Sequence, residues 1–125
     1  MPNSISIRLS IMMFLNFVVW GCWSVTIGTY LTMTLKLSGT QAGAVFGTTA
    51  LASMISPFFV GMIADRFFST ERVILVLHLV GAVFLFAVTR VTSFAAVYGI
   101  MLAYCLCYFP TISLTTSLAL RRMSE

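Results

Sequence analysis

Four apolar stretches, residues 9–35, 41–64, 73–89 and 94–120, dominate this 125-residue chain, and its charged side chains are gathered in the short segments around them. A helix needs roughly 20 residues to cross a hydrocarbon core, and all but the third stretch reach that length comfortably. Lipid offers backbone N–H and C=O groups no partners, and four short strands cannot close a barrel, so each stretch must be a helix. With 60% hydrophobic and 8% charged residues, against about a quarter charged in soluble domains, a soluble fold is excluded. The first stretch is too long for a signal h-region of about 7–15 residues and shows no small-residue cleavage pattern, so it reads as a retained helix. The chain is expected to be all-α integral membrane protein, one membrane domain over residues 1–125.

Lys and Arg placement sets orientation. With the N-terminus inside, Arg8, Arg66, Arg72, Arg121 and Arg122 face the cytoplasm, while Lys36 and Arg90 face out, a split of 5 to 2 among the 7 basic residues. Both termini are therefore expected to be cytoplasmic. The net charge of +4 suits anionic lipid headgroups at the bilayer surface and not nucleic acid. Cys22, Cys105 and Cys107 lie within spans and read as small apolar thiols, without disulfide or metal.

The spans have distinct faces. Asn16, Trp20, Trp23 and Tyr30 are spaced 4, 3 and 7, which at about 100° per residue puts them on one face of the first helix. Gly21, Ser24 and Gly28 run beside them as a small-residue stripe for a close neighbour. The second helix carries Gly43, Gly47, Ala50, Pro57 and Gly61 along one face, expected to pack against a neighbouring helix, with a kink at Pro57. The third holds the single histidine, His78, a candidate proton-linked group because an imidazole can take up and release a proton and ionisable groups within a span are functional candidates. In the fourth, Tyr104, Tyr108, Thr111 and Thr115 share a face beside Pro110. Together with Asn16, Trp20, Trp23 and Tyr30 they are the candidate lining of a cavity for a neutral, ring-bearing polar solute.

No Asp, Glu, Lys or Arg lies deep within a span, which argues against a stand-alone ion-coupled four-helix pump. Nothing resembles a nucleophile–base pair, a metal cluster or a phosphate loop, so the chain does not read as an enzyme and no cofactor is expected.

The segment Gly61, Asp65, Arg66 and, further on, Arg72 resembles the cytoplasmic loop motif between helices two and three of the major facilitator superfamily. The Gly-Arg-Arg continuation is replaced here by Phe67-Phe68-Ser69-Thr70-Glu71-Arg72. Three further stretches narrow the likeness. Asn16 to Trp23 with Gly28-Thr29-Tyr30, Ala64 to Ser69 with Val73, and Tyr108-Phe109-Pro110-Thr111-Ile112-Ser113-Leu114 are similar, in order and spacing, to the bacterial nucleoside:proton symporters. Thr116 departs from the family pattern, which has Asn there.

The resemblance implies a twelve-helix carrier of two six-helix halves, each built from inverted three-helix repeats, of which this chain resembles the first four helices: an N-terminal fragment, inactive alone, whose partners are the missing C-terminal helices. It implies proton-coupled nucleoside uptake by alternating access in a bacterial inner membrane, with nucleoside and protons as ligands. Gly61, Asp65, Arg66 and Arg72 would form a gating loop in which Asp65 meets the N-terminal end of a helix from the other half. Two other readings stand beside this one: a permease of the same superfamily for a sugar or drug, and a stand-alone four-helix membrane interaction or assembly protein.

Overall fold

The computed structural model describes residues 3–64 and 69–124. Within them, four helices are long and apolar enough to cross a membrane. The first span is composite: α1 (Asn3–Ser24), a single turn α2 (Ile27–Thr29), then a π-helical turn at Tyr30–Thr34. It is followed by α3 (Gly39–Ala64), α4 (Thr70–Val88) and α5 (Phe94–Met123). The sequence suggests one unbroken first helix; the structure interrupts it at Val25–Thr26. There the Thr26 hydroxyl donates to the carbonyls of Cys22 and Trp23 at 3.2 and 3.3 Å, competing with the helical ladder as short hydroxyl side chains do.

Local chemistry ends and restarts the helices. Beyond the π turn, Leu37 N–H bonds back to the Leu31 carbonyl at 3.0 Å. Lys36 turns the chain with φ 54°, the only non-glycine residue of positive φ among the described residues. At the next helix start, Ser38 and Gln41 form a reciprocal capping box: Gln41 N–H donates to Ser38 Oγ at 3.2 Å and Ser38 N–H to Gln41 Oε1 at 3.1 Å. Ser93 caps α5 by accepting from Ala96 N–H at 3.4 Å.

Helix α5 is the axis of the bundle. It packs along much of its length against α3 on one side and α4 on the other, and meets α1 through a narrower seam. Its buried residues include Val97, Met101, Tyr104, Cys105, Tyr108, Thr111, Leu114 and Thr115. The α3 face buried in the bundle is Ala42, Val45, Thr48, Ala52 and Ser56, with the Thr48 hydroxyl 3.8 Å from Cys105 Sγ. The glycine face of α3 is therefore not the packed one. A Cβ added at Gly43, Gly47 or Gly61 would meet nothing within 4 Å, and Pro57 is exposed within an unbroken helix. The same holds for Gly21 in α1, whereas Gly28 does admit a neighbour, the Phe46 ring at 3.5 Å.

A glycine outside both stripes makes an equally close contact with an aromatic ring. Gly81 of α4 is buried, and a Cβ there would lie 3.5 Å from the Tyr104 ring. Gly81→Ala should therefore be tolerated. Gly81→Leu should displace the ring and cost about 1–3 kcal/mol, as overpacking does, measured by reversible unfolding in mixed micelles. The expected orientation is tested by thiol labelling in a background without native cysteines. Lys36→Cys and Arg90→Cys should react with a membrane-impermeant reagent added outside, and Arg72→Cys and Arg121→Cys only after the membrane is opened.

Candidate functional site: the seam between the first and last helices

The polar–aromatic face of α1 and that of α5 lie against each other. Asn16, Trp23, Tyr104, Tyr108, Thr111 and Thr115 are all buried, and Trp20 is half-buried beside them. Periodicity places each set on one face of its helix; packing joins the two faces into one seam.

Its aromatic part is a continuous array. Trp20 stacks on Tyr108 at 5.8 Å between ring centroids and Tyr108 on Tyr104 at 6.0 Å. Trp23 meets Trp20 edge-on at 5.0 Å and Tyr104 at 5.3 Å. Such offset and edge contacts suit the ring quadrupoles. Phe109, which sequence reading did not single out, is half-buried and meets Trp20 edge-on at 5.5 Å. Its signal was its place beside Tyr108 in the Tyr-Phe-Pro-Thr run.

The polar part centres on Asn16. The Tyr108 hydroxyl donates to the Asn16 main-chain carbonyl at 2.7 Å, and Asn16 Nδ2 donates to Thr115 Oγ1 at 3.1 Å. Thr115 has its own hydrogen directed at the Thr111 carbonyl, 2.7 Å away, so the Asn16 atom facing it has to be the donor. The Thr111 hydroxyl is 2.5 Å from the Tyr108 carbonyl and 3.5 Å from Asn16 Oδ1, so the carbonyl holds most of its hydrogen bond. Two buried polar atoms of the seam, Trp23 Nε1 and Tyr104 Oη, have no hydrogen-bond partner.

Two expected members lie apart or at the margin. Tyr30 sits beyond the break in the first span, lining an outer cleft of about 320 Å³ with Trp23, Thr26, Leu85 and Val88. His78 of α4 borders the seam, its ring edge-on to Tyr108 at 6.4 Å. Its Nδ1 lies 2.9 Å from the Ile74 carbonyl, an acceptor, so Nδ1 carries the hydrogen and Nε2 is the atom left for other chemistry. His78 lines a cavity of about 130 Å³ with Tyr104 and Tyr108, and also a cleft of about 310 Å³ with Asn16, Glu71 and Thr115. These spaces share Val19, His78 and Leu85 in turn, so they form one furrow between α1 and α4.

Charge is kept to the ends. Glu71 and Arg122 pair at 3.5 Å, both about half exposed, a geometry worth little to stability. Of the loop motif, Gly61 is exposed at the end of α3 and Arg72 exposed at the start of α4; Asp65 and Arg66 lie outside the described residues. The three cysteines are free thiols, and no metal-ligating cluster occurs among the described residues. Thr116 is exposed and its hydroxyl bonds to the Ile112 carbonyl at 2.8 Å.

Comparison with known proteins agrees with this architecture. The putative nucleoside transporter YegT of Escherichia coli (strain K12) is 39% identical over 121 residues, covering 94% of this chain and 28% of that protein. Xanthosine permease of the same organism is 37% identical over 116 residues, covering 93% and 28%. The crystal structure of nucleoside transporter NupG superposes with a TM-score of 0.90 at 32% identity, covering 96% of this chain and 30% of that one. The chain thus spans under a third of the length of the relatives it matches, and its four helices match the N-terminal part of the solved transporter. It is a multi-pass inner-membrane protein and not an enzyme. A family profile described as nucleoside H+ symporter matches residues 3–125, and the chain belongs to that family.

Proposed function

We propose that this chain is the first four helices of a twelve-helix carrier of the major facilitator superfamily, which takes up nucleosides with protons by alternating access. The observation that carries the reading is the aromatic array between α1 and α5, set in a fold that superposes closely on a nucleoside transporter. A nucleobase is a flat π-system, and base–aromatic stacking contributes about 1–3 kcal/mol per base. Trp20 is the ring suited to that contact, because it is half-buried while Tyr108 and Phe109 support it from within. Trp23, Tyr104 and Tyr108 are covered by their neighbours here, so they shape the wall behind Trp20.

The loop motif supplies the gate. Asp65 would cap a helix of the second half, where the dipole favours a carboxylate, and Arg66 and Arg72 flank it in sequence. His78 lies edge-on to Tyr108 of the aromatic wall and is the candidate for proton linkage within this segment. The chain by itself is not transport-competent, since the second wall of the site belongs to the other half of the carrier.

Uptake of radiolabelled uridine and adenosine into transport-deficient cells tests the reading. A longer product carrying this chain should accumulate both and lose that accumulation with a protonophore, while the 125-residue chain alone should not transport. Uptake that persists with the protonophore would remove proton coupling, and a membrane-inserted longer product that moves neither solute would remove the nucleoside. In the active carrier, Trp20→Ala should raise KM about tenfold, in line with one lost stacking contact. Asp65→Asn should instead lower the maximal rate about five- to thirtyfold, the equivalent of one or two kcal/mol of gate stabilisation, with KM little changed.

A further inference from the structure

Asn16 was the polar candidate for solute contact in the first helix, yet it is 4% exposed. Its two strongest bonds run to α5: Nδ2 to Thr115 Oγ1 at 3.1 Å, and the main-chain carbonyl to the Tyr108 hydroxyl at 2.7 Å. A third, longer contact joins the Thr111 hydroxyl to Asn16 Oδ1 at 3.5 Å, and between α3 and α5 the Thr48 hydroxyl lies 3.8 Å from Cys105 Sγ. A single residue of α1 is thereby clasped at two points, one through its side chain and one through its backbone.

Two points on one residue fix rotation as well as position. Trp20 and Trp23 follow Asn16 by 4 and 7 residues on the same helical face, within about 40° of it. With the Trp20 ring roughly 6 Å from the helix axis, a 20° turn of α1 would move it by about 2 Å. That is enough to disturb its 5.8 Å stack on Tyr108. The remainder of α1 supplies little restraint: Ile7, Ile11, Phe14, Leu15 and Phe17 are all more than half exposed, and its contact with α5 is narrow.

We infer that Asn16 is a positioning residue: by clasping Tyr108 and Thr115 it sets the rotation of the first helix and so holds Trp20 in register for the solute. This rests on the proposed nucleoside site and assigns Asn16 a role different from solute contact. Thr115 and the Tyr108 hydroxyl belong to the same clasp and act through the same ring.

The two roles separate experimentally through Thr115, which is 2% exposed and whose hydroxyl meets α1 at Asn16 Nδ2. In the full carrier, with transport normalised to the amount in the membrane, Asn16→Ala and Thr115→Val should each raise the KM for uridine about tenfold with maximal rate within about twofold. The double variant should be no worse than either single, the mark of one shared interaction. Thr115→Ser, which keeps the hydroxyl, should restore KM to within about twofold of the parent. In the 125-residue chain in detergent, the near-UV circular dichroism of the Trp20–Tyr108 stack should be lost in Asn16→Ala and Thr115→Val and kept in Thr115→Ser.

A KM rise in Asn16→Ala without one in Thr115→Val, with the near-UV signal intact in both, would mean direct solute contact and overturn the inference. A fall in maximal rate with KM unchanged, or a Thr115→Ser variant that fails to recover, would overturn it too. If the parent carrier moves no nucleoside, the proposed substrate fails, while the near-UV signals still decide whether Asn16 holds the stack.

Discussion

The bilayer interior supplies no hydrogen-bond partners, and that constraint accounts for how most polar side chains in the spans are placed, Trp23 Nε1 and Tyr104 Oη being buried without a partner. Most solve it within their own helix. The hydroxyls of Thr32, Thr48, Thr49, Ser53, Ser56, Thr89, Thr111, Thr115 and Thr116 all bond to carbonyls three or four residues back. His78 does the same through Nδ1. Asn16 and Tyr108 differ: Asn16 bonds across to α5 through both its amide and its backbone carbonyl, the latter accepting from the Tyr108 hydroxyl. Helices that satisfy themselves can slide or turn against one another at small cost; a helix tied by an amide cannot.

The rest of the bundle follows from close packing on α5. Small and hydroxyl residues let α3 approach it, with Ala42, Thr48, Ala52 and Ser56 buried in the bundle. On the other side α4 presents Gly81 to the Tyr104 ring. The ring so held is the inner member of the Tyr104–Tyr108–Trp20 array. The site is thus positioned from two directions, by van der Waals contact from α4 and by hydrogen bonds from α1. Pro110, buried in the middle of α5, does not break that helix, and the three hydroxyl back-bonds of Thr111, Thr115 and Thr116 follow directly after it.

Span number and the two polar–aromatic faces were legible in the sequence because charge exclusion from lipid and helical periodicity are strong, local rules. What each face meets was not, because periodicity identifies a face without identifying its partner. The glycines of α3 show the gap: Gly43-x-x-x-Gly47 permits close approach, yet α5 takes the face that carries Val45 and Thr48 instead. Tyr30 lies apart from the seam for a different reason. It was counted at about 100° per residue through Val25–Thr26, where the helix breaks, and into a π turn, so its phase no longer follows that of Trp20 and Trp23. The Ser38–Gln41 capping box, by contrast, was readable from its Ser-x-x-Gln spacing and was passed over in favour of the apolar run behind it.

The distribution of contacts also says which helix of this segment is free to move. Helices α3 and α4 each have extended interfaces with α5, and displacing either would open that interface. Helix α1 is held by a narrow seam, a few ring contacts and the Asn16 bonds, and its span is already interrupted at Val25–Thr26 and widened at Tyr30–Thr34. Elements with few buried apolar contacts are the ones that open at low free-energy cost. The hydrogen bonds that orient Trp20 therefore belong to the helix whose displacement costs least. Because they are directional and short, they make its resting position a discrete one, which apolar packing of the same small area would leave poorly defined.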